Sequence, residues 1–268
     1  MTLTDYLARY SLSHDVTAST IEHYKWVVRS FERLAGPVEL DSLSGDDVNR
    51  WLANLKQTGR SAWTIKQRKV SLLVLWRSAW QDGLAPPIQP VRRLKPLHHD
   101  PQAWTLDEVR LLLATAEADK RRPLFWASLI RAGYDSGLRL GNLLALRIDQ
   151  VSGVMRMRQV KVGAHVAVQL RSETLQAIAA HVAGRPPSDL VWPLWGRREA
   201  LYRAFRRLVA SAGIRRGTFR WLRRTAATQT ERVSPGSATA LLGHSSRSTT
   251  EQWYIDRSQL AKPPLPPW

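Results

Sequence analysis

Apolar positions recur at helical spacing through most of this chain. Within residues 19–36, Ile21, Tyr24, Val28 and Phe31 fall three or four apart, which gives one apolar face and predicts a helix that starts near Ser19 and Thr20 and ends at Gly36. Residues 42–59 carry Ser44, whose hydroxyl suits a helix N-terminus, followed by Val48, Trp51, Leu52 and Leu55 as a second buried stripe. A third helical pattern runs over 64–83 and closes on Gly83, and a short helix at the N-terminus would complete a four-helix unit. The pattern then breaks. Residues 85–101 hold five prolines, each of which removes a backbone donor and forbids a regular helix. A new helix opens at Thr105, with Asp107 and Glu108 in the first turn, where the helix dipole favours carboxylates. Further helices are predicted over 122–136 and from about Gly141. Between residues 146 and 170 the period shortens: VMRMRQV and HVAVQL flank VGA, as in an antiparallel hairpin. Helical spacing returns over 173–184, 198–213 and 220–233, and the tail KPPLPPW is too proline-rich for a helix.

The expected fold class is therefore mainly α with a small antiparallel β-sheet, in two domains. Residues 1–90 form a helical domain, 91–102 a basic proline-rich linker, and 103–268 a second domain with a C-terminal tail. A chain of 268 residues and 44% hydrophobic content is long enough for two packed cores. No apolar run approaches the roughly 20 residues that span a bilayer. The N-terminus MTLTDYLARY has no secretory pattern and the chain has no cysteine, so disulfides and thiolate metal sites are excluded and a prokaryotic cytoplasm is the expected location.

Charge narrows the function. Forty Lys and Arg against 22 Asp and Glu leave a net +18. A surplus of this size self-repels unless a polyanion balances it, and nucleic acid is the leading candidate partner. A membrane surface fits less well, because no single basic amphipathic segment dominates. Arg92, Arg93 and Lys95 make the proline-rich linker basic, as a segment lying along a phosphate backbone would be. Twelve tryptophans are expected to be mostly core, with a few available to stack on bases.

The acidic residues are scattered, so clustered carboxylates for a catalytic metal are not expected. Phosphoryl chemistry without a metal needs a side-chain nucleophile and converging cations. Tyr254 is a candidate nucleophile. Arg139 lies between Gly137 and Gly141 at a turn into a helix, a good anion position. Lys161 falls near the tip of the expected hairpin. Arg220 and Arg223 share one helical face at i and i+3, and His244 follows a glycine turn ten residues before Tyr254.

The ordered set SGLRLGNLLAL, VKVGAHVAVQL, FRWLRRTAAT and LLGHSSRSTTEQWYI resembles the tyrosine recombinases, the phage integrase family. The resemblance covers about residues 103–258, and the helical N-terminal region looks like that family's core-binding domain. It implies a two-domain clamp on double-stranded DNA and assembly as a tetramer on paired sites. It also implies cofactor-free strand cutting and rejoining through a 3′-phosphotyrosine. In that scheme Arg139 and Arg223 match the family's two arginines. Lys161 matches its hairpin lysine, a general acid for the leaving 5′-hydroxyl. His244 matches the residue that bonds the scissile phosphate, and Tyr254 the nucleophile. The tail, with Trp268, would pack on a neighbouring protomer.

The pattern is departed from at three places. Arg220 stands where the family has a histidine, and arginine cannot accept a proton. Asn142 stands where an acidic residue is usual. The spacing TTxxY would put Trp253, not Tyr254, at the nucleophile position. The alternative function is a catalytically degenerate DNA-binding accessory or regulatory protein of the same fold. A weaker one is a relaxing enzyme like the type IB topoisomerases.

Overall fold

A computed structural model of the chain describes residues 1–36, 38–97, 99–158 and 165–260. The chain divides into two compact units, Met1–His99 and Asp100–Trp268.

In the first unit four α-helices surround one core: α1 (Leu3–Ser13), α2 (Ala18–Ala35), α3 (Gly45–Gln57) and α4 (Ala62–Gln81). Each is capped by a hydroxyl that satisfies an otherwise orphaned N–H. Thr2 and Ser44 form reciprocal capping boxes with Asp5 and Asp47, while Thr17 and Ser61 accept from Thr20 and Thr64. α2 and α4 thus begin slightly earlier than their apolar periodicity suggests, because the cap, not the first apolar residue, sets the helix start. Tyr6, Phe31, Trp51, Leu72 and Trp76 are fully buried. Their polar tips are answered inside: Tyr6 Oη donates to Ser78 Oγ at 2.8 Å, and Trp51 Nε1 to Ser30 Oγ at 3.3 Å.

The proline-rich segment departs from a free linker over its first half. Leu84, Ala85, Ile88, Val91 and Leu94 pack against the four-helix core. Trp76 Nε1 donates to the Pro86 carbonyl at 2.9 Å, Gly45 N to Gln89 Oε1 at 2.9 Å, and Lys69 Nζ to the Arg92 carbonyl at 2.6 Å. A proline-rich chain has few donors of its own, so the helices supply them, from the side chains of Trp76 and Lys69 and from the Gly45 N–H. The side chains of Arg92, Arg93 and Lys95 remain exposed.

The second unit opens with α5 (Leu106–Glu117) and α6 (Pro123–Ser136), followed by a single turn, α7 (Leu140–Leu143). Strands β1 (Val154–Arg158) and β2 (His165–Gln169) pair antiparallel, Met155 opposite Val168, and form the one sheet among the described residues. The helices α8 (Ser172–Val182), α9 (Arg198–Ser211), α10 (Phe219–Val233), α11 (Ala238–Leu242) and α12 (Arg247–Trp253) complete it. α6 lies centrally, packed by α5, α8 and α10. Trp104, Leu129, Ile130, Trp192 and Phe205 fill the core. α11 and α12 lie in a stretch where the apolar pattern predicts no helix; they are too short for a periodicity to register. The mainly helical fold class with a small antiparallel sheet is as expected. The hairpin tip that holds Lys161 and the tail that holds Trp268 lie outside the described residues.

Candidate active site

α6 ends at Gly137, whose φ of 57° is left-handed and favours glycine. The turn puts Arg139 at the start of α7. α10 begins after Thr218, which caps it, and projects Arg220 from its first turn and Arg223 one turn later. α11 closes on a second left-handed glycine, Gly243, with φ 60°, and the chain then presents His244. Tyr254 ends α12, its N–H bonded to the Thr250 carbonyl at 2.9 Å. Five residues singled out from sequence thus arrive from three separate stretches of the second unit.

They converge. Arg223 is 2% exposed. Its guanidinium donates to the carbonyls of Gly137 and Leu242, the latter at 2.9 Å, so both glycine turns are held by one side chain. Arg223 Nη2 also lies 2.9 Å from His244 Nε2, and Arg139 Nη2 lies 3.5 Å from the same atom. Arginine only donates, so Nε2 is the acceptor and the ring proton sits on Nδ1, directed at Thr250 Oγ1 at 2.9 Å. Tyr254, 9% exposed, has its ring centroid 4.8 Å from that of His244. The guanidinium carbons of Arg223 and Arg220 lie 5.1 and 5.5 Å from the tyrosine ring. Arg139, Arg220, Arg223, Tyr202 and Tyr254 line a cavity of about 290 Å³.

The electrostatics are one-sided. Among the described residues, neither Arg220 nor Arg223 pairs with a carboxylate, and the Nε of Arg223 is buried without a partner. Burial, and then Arg139 beside it, brings the Arg223 guanidinium down to about 10, still cationic at neutral pH. Burial together with Arg223 and Arg139 pushes His244 down to about 4, so the ring is neutral. Burial alone would raise the Tyr254 phenol, but Arg223, Arg220 and Arg139 outweigh it and hold it below the ordinary tyrosine value. A cavity with converging guanidiniums beside an acidified phenol can hold an anion and attack it.

The match to the phage integrase family model spans residues 102–260, more than half of the chain.

The chain belongs to the phage integrase family.

The fold is that of the tyrosine recombinases. A lambda integrase dimer bound to a COC′ core site is similar over 99% of this chain and 99% of that one, at 21% identity and a TM-score of 0.79. Lambda integrase bound to DNA is similar over 97% of both chains, at 23% identity and a TM-score of 0.76. The Tn1549 transposon integrase, in complex with transposon right-end DNA, is similar over 93% of both, at 19% identity and a TM-score of 0.74. No curated protein matches the chain by sequence.

Within this integrase fold, the Tyr254 ring faces Arg220 and Arg223, and Trp253 packs beside the small cluster of Ala227, Ala238, Leu242, Tyr254 and Ile255. Arg220, at the position where the family usually has histidine, is exposed at the rim. Asn142 is a buried residue of α7, with its N–H on the Arg139 carbonyl at 2.8 Å. Sequence reading missed Thr250, which sets the His244 tautomer, and Arg224, whose Nε donates to the Trp253 carbonyl at 3.1 Å. The only available signals were the TT pair four residues before Tyr254 and a second arginine next to Arg223. Among the described residues no group of three or more His, Asp or Glu could hold a metal ion, and no helix is long and apolar enough to cross a membrane. The exposed Arg92, Arg93 and Lys95 belong to the first unit.

Proposed function

We propose that this protein is a site-specific DNA recombinase that cuts and rejoins double-stranded DNA through a 3′-phosphotyrosine intermediate. The observation that carries this reading is the buried Arg223, with no carboxylate partner, facing a phenol acidified by the same arginines. The missing counter-charge is a phosphodiester. Tyr254 Oη, made more acidic by the arginines, gives up its proton to solvent and attacks phosphorus, and the O–P bond forms as the bond to the 5′-oxygen breaks. The leaving oxygen takes a proton from Lys161, the family's hairpin lysine. Arg139 and Arg223 hold the non-bridging oxygens as charge builds on them, and Arg220 adds a third cation from the rim. His244, fixed by Thr250, keeps the guanidiniums aimed at one point. The rejoining half-reaction runs in reverse, with a 5′-hydroxyl displacing Tyr254, so no cofactor is consumed.

In this reading the first unit is the core-binding half, the second the catalytic half, and Arg92, Arg93 and Lys95 lie along the DNA backbone. Lambda integrase has been captured as a tetramer bound to a Holliday junction, and a tetramer on paired sites suits this chain as well. It works on the nucleoid of a prokaryotic cytoplasm. The tail to Trp268 joins protomers.

Arg220 and Asn142 favour a second reading, a DNA-binding accessory that has lost catalysis, because neither supplies the proton acceptor or negative charge usual in the family. Covalent capture separates the two. Wild type and Tyr254→Phe are expressed in cells, stripped of non-covalent DNA with detergent, and the retained DNA is sequenced. Adducts in the wild type alone are the expected result. No adduct from either protein, on host DNA included, would establish the accessory reading.

A further inference from the structure

The backbone just after Tyr254 is tied down by groups that never touch the phenol. Asp256 is 5% exposed, a buried carboxylate in a strongly cationic chain. Its Oδ2 accepts from Ala103 N at 2.9 Å and from Gln259 Nε2 at 3.0 Å, and its Oδ1 accepts from Ser258 N at 3.1 Å. Gln259 Nε2 also donates to the Ala103 carbonyl at 2.9 Å. Both backbone polar groups of Ala103 therefore close on the segment that follows the tyrosine. The next residue, Trp104, donates its N–H to Thr225 Oγ1 on α10 at 3.0 Å, two positions beyond Arg223. From the same helix, Thr228 Oγ1 accepts from Asp256 N at 3.0 Å and lies 3.4 Å from the Tyr254 carbonyl. The opening of the second unit, the arginine helix and the tyrosine segment are thus stitched into one body around a single carboxylate. Burying a carboxylate costs several kcal/mol unless every lone pair is answered, and here they are.

We propose that Asp256 is a positioning residue. By latching the chain after Tyr254 to Ala103, it holds the phenol among the arginines of its own chain before any DNA arrives. This rests on the reading of Tyr254 as nucleophile, but its first test does not need catalysis. With no DNA present, Tyr254 is titrated by phenolate absorbance, as the difference between each protein and its Tyr254→Phe counterpart. Asp256→Ala is expected to shift this titration upward, towards an ordinary tyrosine, as the phenol drifts from Arg223. Asp256→Asn keeps one oxygen for Ala103 N and restores part of the shift. A folded Asp256→Ala protein with the wild-type Tyr254 titration would overturn the proposal, since a merely structural latch lowers the melting temperature without moving the phenol. If Asp256→Ala does not fold, Gln259→Ala removes two bonds of the latch without disturbing the buried charge, and the same two outcomes apply to it.

The second test is functional. On a nicked trapping substrate, Asp256→Ala should slow adduct formation on the order of ten- to a hundred-fold at unchanged DNA affinity, since misplacing a reacting group by about 1 Å costs up to 10². An Arg223→Ala protein is then mixed with a Tyr254→Phe protein, one supplying the tyrosine and the other the arginines. No adduct should form while Asp256 is intact, and adduct should appear when Asp256→Ala is added to the tyrosine donor. Adduct with the latch intact would overturn the proposal. A wild type that forms no adduct defeats the recombinase reading instead, and leaves the titration to judge the latch.

Discussion

Two arginines of the second unit, Arg215 and Arg223, make opposite use of the same side chain. Arg215 grips Glu108 with two bonds, Nε to Oε1 at 2.8 Å and Nη2 to Oε2 at 2.7 Å, and adds the Ala103 carbonyl at 2.6 Å. The pairing raises the Arg215 guanidinium and, with the Thr105 cap, holds Glu108 down to about 2. Arg223 is far more buried, bonds two carbonyls and a histidine, and has no carboxylate. Its guanidinium is lowered, not raised. A forked pair satisfies both ions and belongs to the framework. A buried guanidinium that meets only carbonyls, a neutral imidazole and other cations is held against its own desolvation, which makes sense where an anion is to be bound.

The largest effect should come from breaking the unpaired member. Arg223→Met is expected to slow adduct formation on the order of 10²- to 10³-fold, the loss typical of one missing oxyanion donor. In the wild type, orthovanadate at a hundred times its dissociation constant should add about 2.7 kcal/mol of stability, and none of it in the Met variant. Differential scanning fluorimetry reads this, and an equal gain in both proteins would dissolve the contrast with Arg215.

Breaking the paired member should cost stability but not chemistry. Glu108→Gln is expected to lose about 1–2 kcal/mol in urea titrations, once solvent screening of the half-exposed Arg215 is allowed for. The adduct rate per folded molecule should not change. Glu108 is depressed in the folded state, so its contribution is present above the unfolded carboxylate value. It is lost as pH falls through roughly 4.3 towards the folded value of about 2.

His244 sharpens the comparison further. Arg139, Arg223, Tyr254 and Thr250 face its ring. Its folded value of about 4 lies below the unfolded one, so the neutral ring favours folding at neutral pH and this contribution is lost as pH falls from about 6.5 to about 4. Its imidazole NMR signals should stay flat between neutrality and mildly acid pH in the free protein. They should titrate higher once vanadate balances the arginines. A ring that titrates normally in the free protein would show that the arginines do not press on it.

The smallest effect is expected outside the cavity. Replacing Arg92, Arg93 and Lys95 with alanine should reduce the salt slope of DNA binding by about 0.9 for each phosphate that is no longer neutralised. The vanadate response should not change.

Much of the fold and of the site is legible in the order of residues alone. The stripe Val48, Trp51, Leu52 and Leu55 and the cap at Ser44 are legible because both signals sit within a few residues of the helix they specify. Arg139, Arg220, Arg223 and His244 are legible because each has a local signature, a glycine turn or an i, i+3 repeat, and Tyr254 by its place after them in the ordered set. The helix starts at Thr17 and Ser61 are less so, since periodicity marks buried positions and says nothing of the cap before them. The packing of Leu84 to Leu94 on the first core is not legible at all: prolines announce the loss of a helix, not where the chain goes next.

The sequence by itself determined the longer helices, the surplus of positive charge and the family, because periodicity, composition and motif order are properties of the chain as written. Only the tertiary structure decided that Arg223 has no carboxylate beside it. It alone decided that Thr250 sets the His244 tautomer, that the Tyr254 ring meets Arg220 and Arg223, and that Asp256 reaches back to Ala103. These depend on groups that the fold brings together, Arg223 to His244 at 2.9 Å, Ala103 N to Asp256 Oδ2 at 2.9 Å and the Arg223 guanidinium to the Tyr254 ring at 5.1 Å. Such contacts are fixed by the packing of α6 against α10, and of the residues around Tyr254 against α10 and α11. No local pattern encodes them.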